Sequence, residues 1–590
     1  MRLKDIALTF ITFAIITILF TWPLTINLSK AVYGYPGDNF GYIYTMWWWK
    51  YAKVNNLSFN YIPFQEAPVG APVSSGPGTI AFLWPTYALT WVFDEVTSFN
   101  LSLLLTFPLT GLFTYLLAYK VTKNKAASFL AGLVFAFSPY HIWKSYNHLD
   151  LSMIHWFPLY FWGFFNLLEK KTLKSGVLSG LFYSLIILTN FYYAYFAFFA
   201  TLMLGVVWIL RDLRDRKQKL NFLSGYLRSA VGFSLLPIAV ALLIVLPSVN
   251  QMKTVNSERQ GDLFKRPLEN LIYTSGRPWD YLLPSEDHPV FGKISKQIYT
   301  RITTLSNDWK TQSTYVHEKT AFVGYFSLFF SLFAFVLFTR KKLKNQFLVP
   351  LIVTIFGLVL LAAPPYIYIG GIKILFPSYF LYQIFPMFRA YSRLGVLATL
   401  FVSIIGAIGF SHLNLLPKPN ATRILRSEYA RGISYIIVVW ASMLILFEFA
   451  NFPPAKITYI EPVPEVYQWL KEQPGNFVIM EYPKLVNLSD IELYQRYHLK
   501  GIANPRDLSP RFVIWKDVEN LFSKKTPENL KKIGVKYVIV HRLLLFDTPN
   551  PVDDMWHMRA YNQNTLDYSK LPKGFKLIKT FEKEDVLEVL

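Results

Sequence analysis

The 590-residue chain contains no cysteine. That excludes a disulfide scaffold, thiolate metal sites and a cysteine nucleophile. Charge is also scarce: 16% of the residues are Asp, Glu, Lys or Arg, where soluble domains carry about 25%. The shortage excludes an ordinary cytosolic enzyme. Disorder is excluded by the opposite trait, because 53% of the chain is hydrophobic and 18% aromatic, and disordered segments are poor in such residues. No phosphate-binding glycine loop of the P-loop or dinucleotide type occurs, and no HExxH motif. No internal repeat is visible, which argues against a transporter built from inverted halves.

Apolar runs of membrane length are what the chain has instead. They fall near 6–27, 99–119, 126–142, 152–168, 175–190, 192–210, 229–247, 320–339, 346–363, 394–414 and 432–450, and a spanning helix needs ~20 mostly apolar residues. The fold class expected is therefore a polytopic α-helical membrane protein of about 11 spans. The net charge of +22 does not point to nucleic acid. Short loops with Arg2/Lys4, Lys120/Lys123/Lys125, Lys170/Lys171/Lys174, Arg211/Arg214/Arg216/Lys217/Lys219/Arg228, Arg340/Lys341/Lys342/Lys344 and Lys418/Arg423/Arg426/Arg431 supply +17 of it. Basic loops mark the cytoplasmic side. With eleven spans every cluster falls there, the N-terminus is cytoplasmic and the C-terminus is outside the cell. A twelfth apolar segment, 79–97, would break this pattern if it spanned, and it carries Pro85, Asp94 and Glu95. It is expected to be an interfacial or re-entrant helix on the outer face. The first span has no small-residue cleavage site after it and reads as an uncleaved anchor in the plasma (inner) membrane.

The outer face holds the remaining mass. Residues 1–450 form the transmembrane domain, with outer loops 28–98, 143–151, 248–319 and 364–393. Residues 451–590 form an extracytoplasmic α/β domain. In it VYQWLKEQ and PENLKKI read as helices, NFVIMEY and VKYVIVH as strands, and Gly534 ends the second helix.

Several outer-face polar residues are candidates for chemistry. Asp38 lies in a Gly-Tyr-Pro-Gly-Asp-Asn turn followed by Tyr42, Tyr44 and Trp47, Trp48 and Trp49. A carboxylate beside an aromatic cleft suits a general base or a metal ligand, though a turn aspartate amid interfacial aromatics is the ordinary alternative. His148 and Asp150, two apart in Asn-His-Leu-Asp, can face one cation or a substrate, and Asp150 can equally cap a helix. Arg389 and Arg393 stand before the 394–414 span. Four apart on a helix they would share a face, and guanidinium forks match phosphate oxygens. Snorkelling to lipid headgroups is the competing role. Glu318 enters the next span from a loop that also holds Asp280, Glu286, Asp287 and His288. Tyr192 and Tyr193 form a tight outer turn able to stack on a sugar or anchor the interface. His155, inside a span, reads as a packing residue.

The order of these features resembles the GT-C superfamily of integral-membrane glycosyltransferases, in an uncharacterised bacterial or archaeal type. The likeness runs through PGDNFGYIYTMWW, an outer helix, a span, a basic turn, a span ending in SPYHIW, and the second outer-loop acid of NHLD, and it covers roughly residues 1–250. RAYSRLGVLA and the outer C-terminal domain add to it. The resemblance implies a polyprenyl-phosphate-linked sugar as donor and inverting transfer on the outer face to a glycan, lipid or protein. It implies Asp38 as base and Asp150 as a second acid. A divalent cation, magnesium or manganese, would rest on Asp38, His148 and Asp150. His148, Arg389, Arg393, Glu318, Tyr192 and Tyr193 would bind substrate, with loop 248–319 closing over it. The chain departs from the paired first-loop acids of many members, because Asn39 follows Asp38. Two other classes stay open: a transporter or flippase of a lipid-linked glycan, with deep intramembrane charges, and a non-catalytic membrane scaffold.

Overall fold

The computed structural model describes residues 2–73, 80–214, 219–247, 249–250, 265–304, 318, 320–369, 372–413, 424–450, 455–483, 489–504, 518–543 and 567–590. Residues 251–264 and 305–317 of the loop 248–319 expected to close over substrate, and the basic residues Arg216, Lys217, Lys418 and Arg423, lie outside them.

Each of the eleven apolar runs coincides with a helix. Among the described residues five helices are long and apolar enough to cross a membrane: Leu3–Phe20, Glu95–Thr122, Phe191–Arg214, Ser224–Val245 and Tyr391–Ser411. A sixth is made by Lys125–Ala136 and Pro139–Asn147, two helices bent by 41° at a short break. Leu173–Thr189, Tyr325–Thr339 and Leu348–Ala362 are shorter apolar helices. At 1.5 Å per residue a 15-residue helix reaches only about 22 Å, less than the ~30 Å hydrocarbon core. Hydropathy located the segments, and by length and composition five or six of the described helices qualify as spans. The chain is a multi-pass membrane protein.

Segment 79–97 does not form one long helix. Ile80–Leu89 has ten residues, and a new helix starts at Glu95, capped by Asp94, which accepts from the Thr97 N–H. Ten residues rise about 15 Å and cannot cross. Trp84 of this helix stacks on Trp49 at 4.9 Å.

Several of the basic loops are tied to one another by ion pairs and hydrogen bonds. Lys120 pairs with Glu169, Lys125 with Asp5, and Lys171 with Asp212. Arg211 and Glu169 both reach Gln346. Helix ends there are sharp: Asn124 caps the helix beginning at Lys125, and Lys123 and Lys171 take the left-handed conformation that closes the preceding helices.

The C-terminal region holds a five-stranded mixed sheet in the order Phe575–Thr580, Glu584–Val589, Val535–His541, Val478–Tyr482, Gly501–Ile502. The first three strands are antiparallel neighbours, and Val478–Tyr482 runs parallel to both of its own. The expected helices appear at Glu465–Glu472 and Thr526–Lys532, and Gly534 has φ +80°, the left-handed turn its position calls for. This region is docked on the first outer loop. Strand Ala31–Tyr33 pairs antiparallel with Ile457–Tyr459. Residues 64–67 add along Ile502, which donates to the Phe64 carbonyl at 2.8 Å and accepts from the Ala67 N–H at 2.9 Å. Tyr44 and Phe64 both bond Gln495.

Candidate active site

The turn before Asp38 is built from close backbone approaches. Gly34 has φ +83°, and a Cβ there would lie 2.4 Å from the Tyr146 backbone, so no other residue fits without displacement. Its N–H donates to the Lys456 carbonyl at 2.7 Å, and its carbonyl accepts from Thr458 Oγ1 at 2.7 Å. Asn39 is buried and donates to the carbonyls of Tyr35 at 2.8 Å and Tyr146 at 3.0 Å. Asn39, which follows Asp38, is thus a fastener of the turn. Asp38 then opens the helix Asp38–Val54, where a carboxylate is favoured by the helix dipole.

The second outer loop supplies the partner. Ser138 caps and Pro139 begins the helix Pro139–Asn147 after the 41° bend; proline lacks the N–H that would continue the previous helix. That helix ends at His148, whose Nδ1 lies 3.0 Å from Asp38 Oδ2. Protein crowds the Asp38 carboxylate, yet 57% of the side chain stays accessible. Burial pushes its pKa up, but the charge and hydrogen bond of His148 and the charge of Arg393 outweigh it, and the carboxyl is held below its usual range.

Asp150 sits in the short helix Leu149–Ser152. Its oxygens accept from Tyr42 Oη at 3.0 Å and Asn190 Nδ2 at 2.6 Å. Asn190 Oδ1 accepts from the N–H groups of Tyr192 and Tyr193, so it ties Asp150 to the turn before the helix Phe191–Arg214. Tyr193 is buried; its hydroxyl bonds the Leu151 carbonyl and lies 3.1 Å from Tyr140 Oη. That leaves it no open face to stack on a ligand. Tyr192 is partly exposed, and its ring carries the Arg393 guanidinium at 5.3 Å.

Arg393 is gripped by Glu318. Nε lies 3.1 and 3.0 Å from the two carboxylate oxygens and Nη2 lies 2.6 Å from Oε1. Lys144 Nζ joins at 3.0 Å, with 2% of its side chain exposed. Burial would raise the Glu318 pKa; Arg393 and Lys144 override it and hold the group well below the carboxylate range. Among the described residues Nη1 of Arg393 makes no hydrogen bond, so one edge of the fork remains for a ligand. Arg389 departs from expectation. Arg393 lies in the 3-10 turn Tyr391–Leu394 and the α-helix starts at Gly395, so Arg389 precedes both and shares no helix face with Arg393. Its N–H donates to Tyr192 Oη at 3.3 Å.

The cation test is specific. Asp38 and His148 contact each other directly, and both Asp150 oxygens are used by Tyr42 and Asn190. Among the described residues no three His, Asp or Glu side chains converge to hold a metal ion. This donor set does not form a cage for magnesium or manganese. Of the remaining candidates, Asp280 is buried and accepts from the Arg277 N–H and Tyr299, a structural role. His155 is buried beside Trp156.

Lys144, Tyr42 and Asn190 complete the site and were not singled out from the sequence. Lys144 carried a signal: a lysine in the aromatic run SPYHIWKSY, where an ionisable group in a membrane segment is costly and usually functional.

A family model described as a domain of unknown function, DUF6311, matches residues 77–421. No curated protein matches the chain. Among solved structures, the arabinofuranosyltransferase AftD from Mycobacteria is similar with TM-score 0.56 at 12% identity, over 100% of this chain and 40% of that one. The oligosaccharyltransferase of Archaeoglobus fulgidus gives TM-score 0.47 at 12% identity, over 91% of this chain and 69% of that one. ArnT from Cupriavidus metallidurans, bound to undecaprenyl phosphate, gives TM-score 0.46 at 9% identity, over 99% and 98%. The likeness to AftD carries the structural argument and shows a GT-C-like fold.

Proposed function

We propose that this chain, which belongs to the DUF6311 family, is a membrane glycosyltransferase that moves a sugar from a polyprenyl-phosphate donor to an acceptor on the outer face of the membrane. Such a fold hosts more than one chemistry, so the reading rests on the site. The observation that carries it is an accessible Asp38 whose carboxyl pKa is lowered by His148 and by the charge of Arg393, itself held in the buried Lys144–Glu318–Arg393 cluster.

In this reading the donor phosphate lies against Nη1 of Arg393 and against Lys144. Glu318 holds the other edge of the guanidinium, so the donors are aimed before substrate arrives. Asp38 accepts the proton of the acceptor hydroxyl. The acceptor oxygen attacks the anomeric carbon, the bond from that carbon to the phosphate oxygen breaks, and the electron pair leaves with the lipid phosphate. Attack opposite the leaving group inverts the configuration. His148 orients Asp38 and favours its charged form, and Asp150, fixed by Tyr42 and Asn190, positions substrate hydroxyls. Tyr192 packs on the sugar or lipid beside Arg393. No step uses a metal. The topology that suits this chemistry has eleven spans, a cytoplasmic N-terminus and the C-terminal region outside the cell.

The experiment is native mass spectrometry of purified wild-type protein and Arg393→Ala after addition of polyprenyl phosphate. Support is a lipid-phosphate adduct on wild type that weakens in the variant. No adduct on wild type at excess lipid refutes the donor assignment.

A further inference from the structure

The segment between the helix Leu348–Ala362 and the span Tyr391–Ser411 presents an exterior unsuited to water. Residues 364–388 carry one charge, Lys373, and no acid. They form an antiparallel hairpin, Tyr366–Ile369 paired with Ile372–Leu375, and then the helix Pro377–Ile384. That helix is built inside out. Its hydroxyl residues face the protein: Ser378 is buried and donates to the Ala363 carbonyl at 2.7 Å, and the buried Tyr382 donates to the Arg266 carbonyl. Its large apolar residues face away, with Phe380 56% and Ile384 65% exposed, four apart on one side. The hairpin is exposed in the same way at Tyr368, Ile374, Leu375 and Ile372, the last 70% exposed. A helix bordering water keeps its apolar stripe inward, and an apolar surface of this kind marks a membrane or protein contact.

We propose that this hairpin and helix seat in the lipid interface on the candidate site's side of the membrane, with acyl chains covering Ile372, Phe380 and Ile384. Position in the chain argues for lipid over another protein. Three residues separate the hairpin from Ala362, and Tyr391 opens a segment apolar enough to span, so both ends of the stretch lie at the membrane boundary. The helix Leu348–Ala362 reaches only about 22 Å, short of the ~30 Å hydrocarbon core, and this apolar stretch continues directly from it. The depth follows from the backbone. A two-stranded hairpin leaves N–H and C=O groups along its edges, which pure hydrocarbon cannot satisfy. The seat is therefore interfacial, with acyl chains against the apolar side chains and headgroups at the strand edges. Lys373 fits that depth. Its Nζ lies 4.0 Å from the Tyr366 ring centroid, and lysine and tyrosine both favour headgroup level. The stretch also carries the boundary to the candidate site: Phe388 stacks on Tyr195 at 4.2 Å and meets Tyr192 at 5.0 Å, and Tyr192 lies under the Arg393 guanidinium. Lipid seating of this face is independent of the transferase reading.

The absence of cysteine from the chain makes the test direct. Ile372→Cys, Phe380→Cys and Ile384→Cys are labelled singly with nitrobenzoxadiazole in the full-length protein, reconstituted into phosphatidylcholine nanodiscs. Phe356→Cys, at an exposed position of the helix Leu348–Ala362, is the lipid reference. Glu528→Cys, in the charged helix Thr526–Lys532, is the water reference. The quenchers are phosphatidylcholine with a nitroxide near the glycerol end of its acyl chain, and aqueous iodide. The lipid nitroxide should quench the three labels as it quenches Phe356→Cys, and iodide should quench them less than Glu528→Cys. Iodide quenching equal to that of Glu528→Cys, without lipid quenching, overturns the proposal in favour of a water-facing loop. Quenching by neither overturns it in favour of protein cover, from a second copy of the chain or another segment of it.

Discussion

Asp38 and His148 come from two different outer loops and meet with 3.0 Å between Oδ2 and Nδ1. Each loop is fixed independently. Gly34 and Asn39 pin the first against Tyr146, and the break at Pro139 aims the helix that ends at His148. The pair is thus set by backbone packing rather than by mutual attraction alone, and the carboxylate is ionised below its usual pH range.

The first prediction is a pH profile. A base works when deprotonated, so transfer should fall with decreasing pH only as Asp38 protonates, below the usual carboxylate range. His148→Ala removes the largest group favouring the charged form and should move that acid limb to higher pH. Asp38→Asn should lower transfer by about 10²–10⁴-fold, the range for losing a general base. Profiles of kcat/KM for the three proteins, measured at saturating donor, check this. A limb that stays in place in His148→Ala refutes the coupling.

The second concerns the Lys144–Glu318–Arg393 cluster. Removing one member of a buried ion group leaves charge uncompensated, at a cost of about 3–5 kcal/mol. Glu318→Gln should therefore lower the melting temperature in detergent, where Arg389→Ala should not. The sign with pH follows from a depressed carboxyl pKa. Stability from Glu318 is present above the unfolded-state value of 4.5 and is lost as pH falls through the lower folded value. Melting curves between neutral pH and pH 3 should show this loss in wild type and much less of it in Glu318→Gln.

The residue types at the site were visible in the sequence more readily than their pairing. Asp38, His148, Asp150, Glu318 and Arg393 stood out because charge is rare in this chain and these charges flank apolar runs. The spacing of Arg389 and Arg393 predicts a shared helix face open to a phosphate. The structure places Arg393 in a 3-10 turn with one edge held by Glu318. Sequence separation hid that contact, since the two residues lie in different loops. Lys144 was hidden differently, as it looked like part of a polar loop, whereas the bend at Pro139 turns that stretch into a buried helix. The eleven apolar runs became helices for a local reason, the composition of each run. Their lengths depended on where neighbouring loops capped them, which hydropathy does not encode.

The third prediction is metal independence. The carboxylates that could chelate are occupied by His148, Tyr42 and Asn190. Excess EDTA should leave the transfer rate unchanged within two-fold, and Asn190→Ala should lower it by loosening Asp150. A rate abolished by EDTA and restored by manganese would mean that the Asp38–His148 contact opens around a cation.

The last prediction concerns the buried core of the C-terminal sheet. His541 is fully buried between two strands, with Nε2 2.7 Å from Glu481 Oε2 and Nδ1 3.7 Å from Glu584. Tyr467 donates to the same Glu481 oxygen at 2.9 Å. Burial alone would lower the imidazole pKa, but the hydrogen bond to Glu481 and the charges of the two glutamates push it up from 6.5 to about 9. A raised folded-state value means that the stabilisation is complete below pH 6.5 and is lost as pH rises through about 9. The span of pKa corresponds to about 2–4 kcal/mol. Hydrogen exchange of the strand Val535–His541 in the full-length protein, corrected for intrinsic rates, reads this directly. Protection should drop between pH 6 and 9.5 by roughly two orders of magnitude, which is that free energy expressed as an opening constant. His541→Gln cannot titrate and should give a flat, lower protection across the same range. Wild-type protection that stays constant to pH 9.5 would refute the raised imidazole pKa.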